Sequence, residues 1–115
     1  MKVLLNAKLK NRKGEEFTQQ TRTPYYEDEE GKPVEKQRLE VTEVTVGRML
    51  TAALLKKEGE MEEKEIMEKY ELFLKLEGAE EIELTEKELE FIKSLVCRIY
   101  DIFFAGQIIK NHLTK

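Results

Sequence analysis

The spacing of apolar residues changes near position 45, and this change constrains the fold more than any other feature of the sequence. Before it, every second residue of a short segment is apolar, namely Val3, Leu5, Ala7 and Leu9. This is the period of a β-strand with one buried face. After it, apolar residues recur at intervals of three and four, as on the buried face of an α-helix. The sequence predicts an α+β fold in a single domain, residues 1–115, with a β part over 1–45 and a helical part over 46–115.

The β part predicts an N-terminal antiparallel β-hairpin or a three-stranded meander. Asn11–Gly14 has the composition of a tight turn, and the segment Glu15–Tyr26, rich in threonine, glutamine and aromatic residues, is predicted to pair with the first strand. The acidic segment Glu27–Pro33 predicts a second turn, after which Val34–Val44 is extended with a weak alternation. Residues 25–45 fit both a sheet and a loop, so both remain alternatives for this segment.

The helical part predicts a bundle of three to four helices. Thr45 is an N-cap, and Thr85–Glu88 is a capping box, in which a threonine hydroxyl and a glutamate three residues later each bond a free backbone amide. Asp101 either caps a separate last helix or lies where the third helix continues. The expected helices are Val46–Lys57, Met61–Glu77, a helix from Thr85 towards Tyr100, and Ile102–Leu113. The residues expected on the buried face of the second helix are Ile66, Met67, Tyr70, Phe73 and Leu74.

Composition argues against several kinds of active site. Cys97 is the one cysteine, so the chain makes no internal disulfide and no thiolate cage, and we interpret it as a small buried residue of a helix. His112 has no second imidazole with which to share a metal, and every glycine is isolated, which excludes a glycine-rich phosphate loop. We therefore expect no catalytic residue, no cofactor and no metal.

The same features predict a cytoplasmic protein. The apolar run Val3–Leu5 is far shorter than that of a signal peptide, and no stretch approaches the roughly 20 apolar residues of a membrane span. A lone cysteine is typical of a reducing compartment. We expect no contact with a membrane.

Charge is distributed unevenly behind the net value of −4. Residues 57–90 carry five basic and fourteen acidic side chains, whereas residues 1–24 carry six and two, and residues 91–115 carry four and one. Such a field keeps nucleic acid away from the middle of the chain and permits contact only near its ends. A solvated helix surface rich in good helix formers also explains the acidic run.

Two groups of residues are candidates for binding surfaces. The last helix is apolar over more than one stripe, and its Gly106 costs about 1 kcal/mol relative to alanine, which a close crossing against another backbone would offset. Its candidate residues are Phe103, Phe104, Gly106, Ile108 and Ile109, with an ordinary core helix as the alternative. The residues of the first hairpin that would contact phosphates or an acidic partner are Lys8, Lys10, Arg12 and Lys13, with protection of a sheet edge as the alternative.

Short motifs in the helical part resemble a group of phage proteins. They are Thr51–Leu55, Lys69-Tyr70-Glu71-Leu72, Glu83–Leu89 followed by Ile92-Lys93, and Ala105-Gly106-Gln107. Over about residues 42–113 the chain is similar to small uncharacterised proteins of tailed phages and bacterial prophages. The resemblance implies a phage or prophage origin, and hence the cytoplasm of a bacterial host, and it transfers no catalytic residue.

These observations favour a non-enzymatic protein-interaction or assembly factor. Its last helix would bind a protein partner or a second copy of the chain. The alternative is a small nucleic-acid-associated regulator that contacts phosphates through the basic N-terminal hairpin. No small-molecule substrate is indicated by the sequence.

Overall fold

The computed structural model describes residues 1–114 and confirms the α+β fold class. Two small antiparallel sheets and four helices are formed by these residues. In chain order the elements are β1 (Lys2–Leu4), β2 (Thr18–Glu29), β3 (Lys32–Glu43), α1 (Val46–Leu55), α2 (Glu63–Leu76), β4 (Glu81–Glu83), α3 (Glu86–Ile99) and α4 (Ile102–His112). The change of period at position 45 therefore marks the boundary between the long hairpin and the helices.

The strand pairing differs from the predicted one. β1 is short and pairs with β4, far along the chain, through Val3 and Ile82. The return segment that was expected to pair with it forms β2, which pairs with β3 as in the predicted meander. The alternation was read correctly, since Val3, Leu5 and Leu9 are buried. Alternation reports which face of a strand is buried and carries no information about the strand that pairs with it.

A few backbone hydrogen bonds attach the base of the long hairpin to the core. The Leu9 amide donates to the Val44 carbonyl over 3.0 Å, and the Phe17 amide donates to the Leu9 carbonyl over 2.8 Å. The predicted first hairpin is present only around its turn, where Lys10 and Glu16 form an isolated bridge and the Asn11 amide donates to the Glu15 carbonyl over 2.8 Å. These bonds hold the hairpin at its root and leave its length outside the core.

The core lies between the four helices and the small β1–β4 sheet. Contacts of α1 with α2 and α3, and of α3 with α4, enclose it. Its fully buried side chains are Val3, Leu9, Val46, Leu50, Leu76, Leu84, Ile92, Leu95, Val96, Ile108 and Leu113. Every one of them is aliphatic, so the core is held by the burial of apolar surface.

Side-chain caps define where three of the helices begin. The Thr45 hydroxyl accepts from the Arg48 amide, and the predicted capping box at Thr85 is complete. The Asp101 carboxylate accepts from the Phe104 amide over 2.9 Å, so the last two helices are separate. Each such cap contributes about 1 kcal/mol to the stability of its helix.

The predicted buried face of α2 is wrong. The helix buries Lys69, Leu72 and Leu76 and half-buries Phe73, while the other expected residues point outwards. The reason is the buried lysine, whose ammonium group donates to the Lys56 carbonyl over 2.9 Å at the end of α1. The long aliphatic stem of a lysine can cover apolar surface while its ammonium group bonds a polar partner. A sequence pattern that counts lysine as an exposed residue therefore misplaces the buried face of this helix.

The expected burial of Cys97 is also wrong, because this side chain is exposed. The stripe that α3 buries is centred on Ile92, Leu95 and Val96. Each further residue rotates by about 100° around a helix axis. Position 97 therefore lies beyond the edge of that stripe.

Candidate interaction surfaces

The most prominent surface is a long two-stranded arm, residues 18–43, which we call the ribbon. Its strands β2 and β3 are each twelve residues long and pair without interruption from Thr18 with Glu43 to Glu29 with Lys32. Glu30 and Gly31 close it with φ angles of 53° and 76°, which is the backbone of a type I′ hairpin turn. At about 3.3 Å per residue the ribbon is about 40 Å long.

The ribbon extends away from the rest of the chain. None of its residues is buried, and only Tyr25, Lys36 and Thr42 are partly covered. The radius of gyration of the Cα atoms is 17.6 Å, and the longest axis is 60 Å against 38 and 25 Å for the others. A globular domain of this length has a radius of gyration of about 13 Å. The ribbon is therefore an arm in solvent and contributes nothing to the core.

The two faces of the ribbon differ in polarity. Residues directly opposite each other share a face, so the pairing of Arg22 with Leu39 and of Gln20 with Val41 places both aliphatic side chains on the face of Tyr26. Leu39, Val41 and Tyr26 are each more than half exposed. We call this side the apolar face of the ribbon; it also carries Pro24 and Pro33, and its charged residues are Arg22, Asp28, Glu35 and Glu43.

The opposite face is polar and internally paired. The Lys36 ammonium lies 2.9 Å from a Glu27 carboxylate oxygen and 2.7 Å from one of Glu29. These carboxylates raise the pKa of Lys36. The Arg38 guanidinium lies 5.1 Å from the centre of the Tyr25 ring, within the range of a cation–π contact. Four of the six charged side chains on this face are thus engaged within the ribbon, so the face offers less to a partner than the apolar face.

Both edges of the ribbon are interrupted by proline. Pro24 in β2 and Pro33 in β3 cannot donate a backbone hydrogen bond, so each is accommodated where the backbone nitrogen points away from the paired strand. An edge that lacks a donor at such a point is a poor template for another strand. The edges therefore disfavour strand addition, and the apolar face is the surface on which a partner can pack.

The basic residues predicted near the N-terminus are only partly available. Lys8 lies 3.1 Å from Glu43 and 3.6 Å from Glu16, which raise its pKa and neutralise its charge locally. Lys10, Arg12 and Lys13 are exposed, and no ion pair within residues 1–114 involves them. Of the four predicted residues, Lys8 is thus engaged in ion pairs. The other three, Lys10, Arg12 and Lys13, remain available, and we call them the basic turn.

Gln107 of α4 holds the basic turn in place. Its side-chain oxygen accepts from the Lys10 amide over 2.7 Å, and its side-chain amide donates to the Lys10 carbonyl over 2.9 Å. One side chain thereby imitates the two bonds of a neighbouring strand. The contact joins residues that are 97 positions apart, so it fixes the turn against the last helix.

Replacing Gln107 by glutamate should weaken this contact. The variant still accepts from the Lys10 amide, but its second oxygen faces the Lys10 carbonyl without a hydrogen to donate. We expect the free energy of unfolding at pH 7 to fall by about 1 kcal/mol. Urea denaturation at pH 7 and pH 4 is the measurement: protonation restores a donor, so the deficit relative to wild type should shrink in acid. Equal stability of the two proteins at pH 7 would contradict the contact.

The residues predicted as an interaction surface on α4 are used mainly inside the chain. Ile108 is fully buried, and Phe103, Phe104 and Ile109 are partly covered. The Phe104 ring lies 5.0 Å from the ring of Phe17, at the root of the ribbon. These contacts favour the alternative interpretation, in which α4 is a helix of the core, and the use of its partly covered residues by a partner stays a prediction.

Gly106 does not support the expected helix crossing. It is exposed, and a methyl group built at its Cα would meet no atom within 4 Å. No other backbone of the described chain therefore approaches it. The glycine that does need its small size is Gly47, where such a methyl group would lie 2.9 Å from the Leu5 carbonyl oxygen.

A surface that sequence reasoning missed lies on α2. Its residues Ile66, Met67, Tyr70 and Leu74 are between 43% and 56% exposed. We call these four residues the α2 stripe. The signal in the sequence is a second pair of leucines, Leu72 and Leu76, which makes the helix apolar on two sides. One side enters the core and the other does not.

An open groove runs between the root of the ribbon, α1 and the connection from α2 to β4. Its volume is about 1020 Å³, and its apolar wall includes Phe17, Met49, Leu55 and Tyr100. The Tyr100 hydroxyl donates to the Met49 carbonyl over 2.5 Å, and burial raises the pKa of this side chain. The hydroxyl is thus engaged in holding α3 to α1.

Among residues 1–114, no group of three or more histidine, cysteine, aspartate or glutamate side chains is arranged to hold a metal ion. Each helix in the same range is too short or too polar to cross a lipid bilayer. Nothing matches the chain when it is compared with protein-family models, with curated proteins and with solved structures. Its function therefore has to be inferred from its surfaces.

Proposed function

We propose that the chain is a non-enzymatic protein-interaction or assembly factor whose docking arm is the ribbon. The observation that carries the proposal is the exposure of the ribbon on both faces along its whole length. A two-stranded sheet without a covered face is marginally stable in water. Ordering twelve paired residues in each strand costs conformational entropy, and the ribbon buries no apolar surface against the core to offset that cost. A partner on the apolar face would supply this burial.

The chemistry of the apolar face suits a protein partner. Val41, Leu39, Pro24 and Tyr26 occupy four successive cross-strand rows of this face and so form a stripe along the ribbon. Tyrosine is enriched at protein interfaces because its ring buries a large area. Burial of each aliphatic side chain contributes about 1.5–3 kcal/mol. This range is sufficient for the stripe to anchor a specific contact.

The charge of the ribbon favours a protein partner over nucleic acid. Residues 18–43 carry four basic and seven acidic side chains, and the acidic ones gather near the tip. Phosphates are repelled by such an arm. The nucleic-acid alternative therefore rests on Lys10, Arg12 and Lys13 alone, and three phosphate contacts provide only weak, strongly salt-dependent binding.

The proposed setting follows from the resemblance to proteins of tailed phages and prophages. A small interaction factor of such an origin acts in the cytoplasm of the bacterial host on phage or host proteins. The arrangement of a helical body with an extended arm fits a role in assembly, where an arm reaches across to a neighbouring subunit.

Removal of the ribbon tests the proposal. Residues 20–41 are replaced by an Asn-Gly turn that joins Gln19 to Thr42, a pair in the same register as the one beside the native turn. Because the ribbon lies outside the core, we expect the helical circular dichroism to be unchanged and the melting temperature to change by a few degrees at most. The variant should lose its partner.

The partner is detected by a photo-crosslinking amino acid at Leu39 in the cell of origin. The matched control places the same group at Ile102, which is 93% exposed and lies on α4. A defined adduct at Leu39 that disappears when Tyr26 and Val41 are both changed to threonine supports the proposal. The proposal would be contradicted by two results together: the same adducts at Leu39 as at the Ile102 control, and a sedimentation coefficient of the full chain that does not change as its concentration is raised.

A further inference from the structure

We propose that the α2 stripe is a second docking site, which takes a basic amphipathic helix of a partner protein. The inference rests on the proposed interaction role, but it does not depend on the ribbon. Its basis is the combination of an unpartnered apolar helix face with an acidic rim.

The geometry of the stripe is that of one helix face. Ile66, Tyr70 and Leu74 are spaced by four residues, and Met67 lies beside them, so the four side chains are neighbours along about 12 Å of helix. The helix cannot rotate to bury them, because Leu72 and Leu76 occupy the core on the other side. The stripe is therefore permanently presented to solvent.

The length and composition of the stripe fit another helix. Two turns of exposed apolar residues match the anchor spacing by which an amphipathic helix docks on a complementary face. Methionine adapts its shape to different neighbours, and tyrosine combines a large apolar ring with a polar tip. Both are suited to a contact that forms and dissociates.

The charge around the stripe specifies the chemistry of the partner. Glu63 precedes the stripe, Glu77 follows it and Glu71 flanks it; all three are exposed, and no ion pair within residues 1–114 involves them. Of the three lysines of α2, Lys64 is exposed beside Glu63 and the other two are engaged. The Lys69 ammonium lies 3.5 Å from Glu58, and that of Lys75 lies 2.9 Å from Glu88. A complementary helix therefore has lysine or arginine beside its apolar residues.

The same charges disfavour a second copy of the chain. Residues 57–90 carry fourteen acidic side chains against five basic ones. A symmetric contact brings the same patch of both copies together. Two acidic rims would then face each other, which costs binding energy through like-charge repulsion.

The test uses purified protein and a fluorescein-labelled peptide of 18 leucine and lysine residues arranged as an amphipathic helix. Two further peptides serve as probes: one of the same composition in a scrambled order without an apolar face, and one in which glutamate replaces lysine. Fluorescence anisotropy gives the dissociation constants. We expect the basic amphipathic peptide to bind at least tenfold more tightly than either, with an affinity that falls as salt is added.

Variants locate the binding. The double substitution Ile66→Ser and Leu74→Ser removes exposed side chains only, so it should leave the fold intact and weaken the peptide at least tenfold. The control Ile102→Ser removes an equally large and even more exposed side chain elsewhere and should leave the affinity unchanged. The ribbon-deleted protein should bind the peptide as well as wild type, which separates this inference from the ribbon proposal.

Three results would overturn the inference. They are equal binding of the scrambled peptide, equal binding of the glutamate peptide, and unchanged binding to the Ile66→Ser, Leu74→Ser variant. Sedimentation equilibrium adds a fourth: a dimer of the wild-type chain that this double variant abolishes would show that a second copy occupies the stripe.

Discussion

Replacing Ile108 by alanine is expected to lower the free energy of unfolding by about 2–5 kcal/mol. The side chain is 0% exposed and is enclosed by the helices, so its removal takes apolar atoms from the core and leaves a cavity. Urea denaturation followed by circular dichroism measures the loss. The midpoint should not vary with protein concentration, because the side chain packs within its own chain.

The control for this substitution lies on the same helix. Ile102 is 93% exposed, and changing it to alanine should alter the free energy of unfolding by less than about 0.5 kcal/mol. A stable Ile108→Ala variant with lost self-association would contradict the structure. It would restore the interpretation of α4 as an interface between chains.

Local signals explain why most helix boundaries were predictable. The bonds of Thr45, Thr85 and Asp101 to backbone amides are made within three residues of the sequence. A capping residue competes only with its immediate neighbours for those amides, so its effect is visible without knowledge of the fold. This is the reason that the starts of α1, α3 and α4 coincide with the sequence-based expectation.

Pairing over long distances was not predictable in the same way. β1 is completed by β4, and the basic turn at Lys10 is held by Gln107 of the last helix. Which segments pair depends on the packing of the whole chain. It does not change the spacing of apolar residues in either segment, so the sequence pattern does not reveal it. The buried face of α2 belongs to this class as well, since Lys69 becomes a core residue only because the end of α1 lies above it.

The ribbon shows how a candidate site can escape sequence reasoning. A strand that buries one face is recognised by its alternation, but β2 and β3 are solvated on both faces and alternate weakly. Their pairing is specified by the turn at Glu30 and Gly31, whose positive φ angles set the register. The sequence predicted the position of that turn and two extended segments around it. It did not predict that they form an arm.

Replacing Gly47 by alanine is expected to destabilise the protein by about 1–3 kcal/mol. The new methyl group would lie 2.9 Å from the carbonyl oxygen and 3.0 Å from the Cβ of Leu5. Neither atom can yield easily, because Leu5 is buried and its carbonyl accepts the Gly47 amide over 2.8 Å. Accommodation therefore requires the N-terminal segment to move away from α1. Thermal and urea denaturation should both register the loss.

The matched control, Gly106→Ala, should have the opposite sign. Gly106 lies inside α4, and a methyl group there meets nothing within 4 Å. Alanine is favoured over glycine in a helix by about 1 kcal/mol, so this variant should be more stable than wild type. The same chemical change thus separates a glycine required by close packing from one that is not. If both variants were more stable than wild type, the contact between Leu5 and α1 would be looser than the structure shows. If both were less stable, Gly106 would lie against the backbone of another chain.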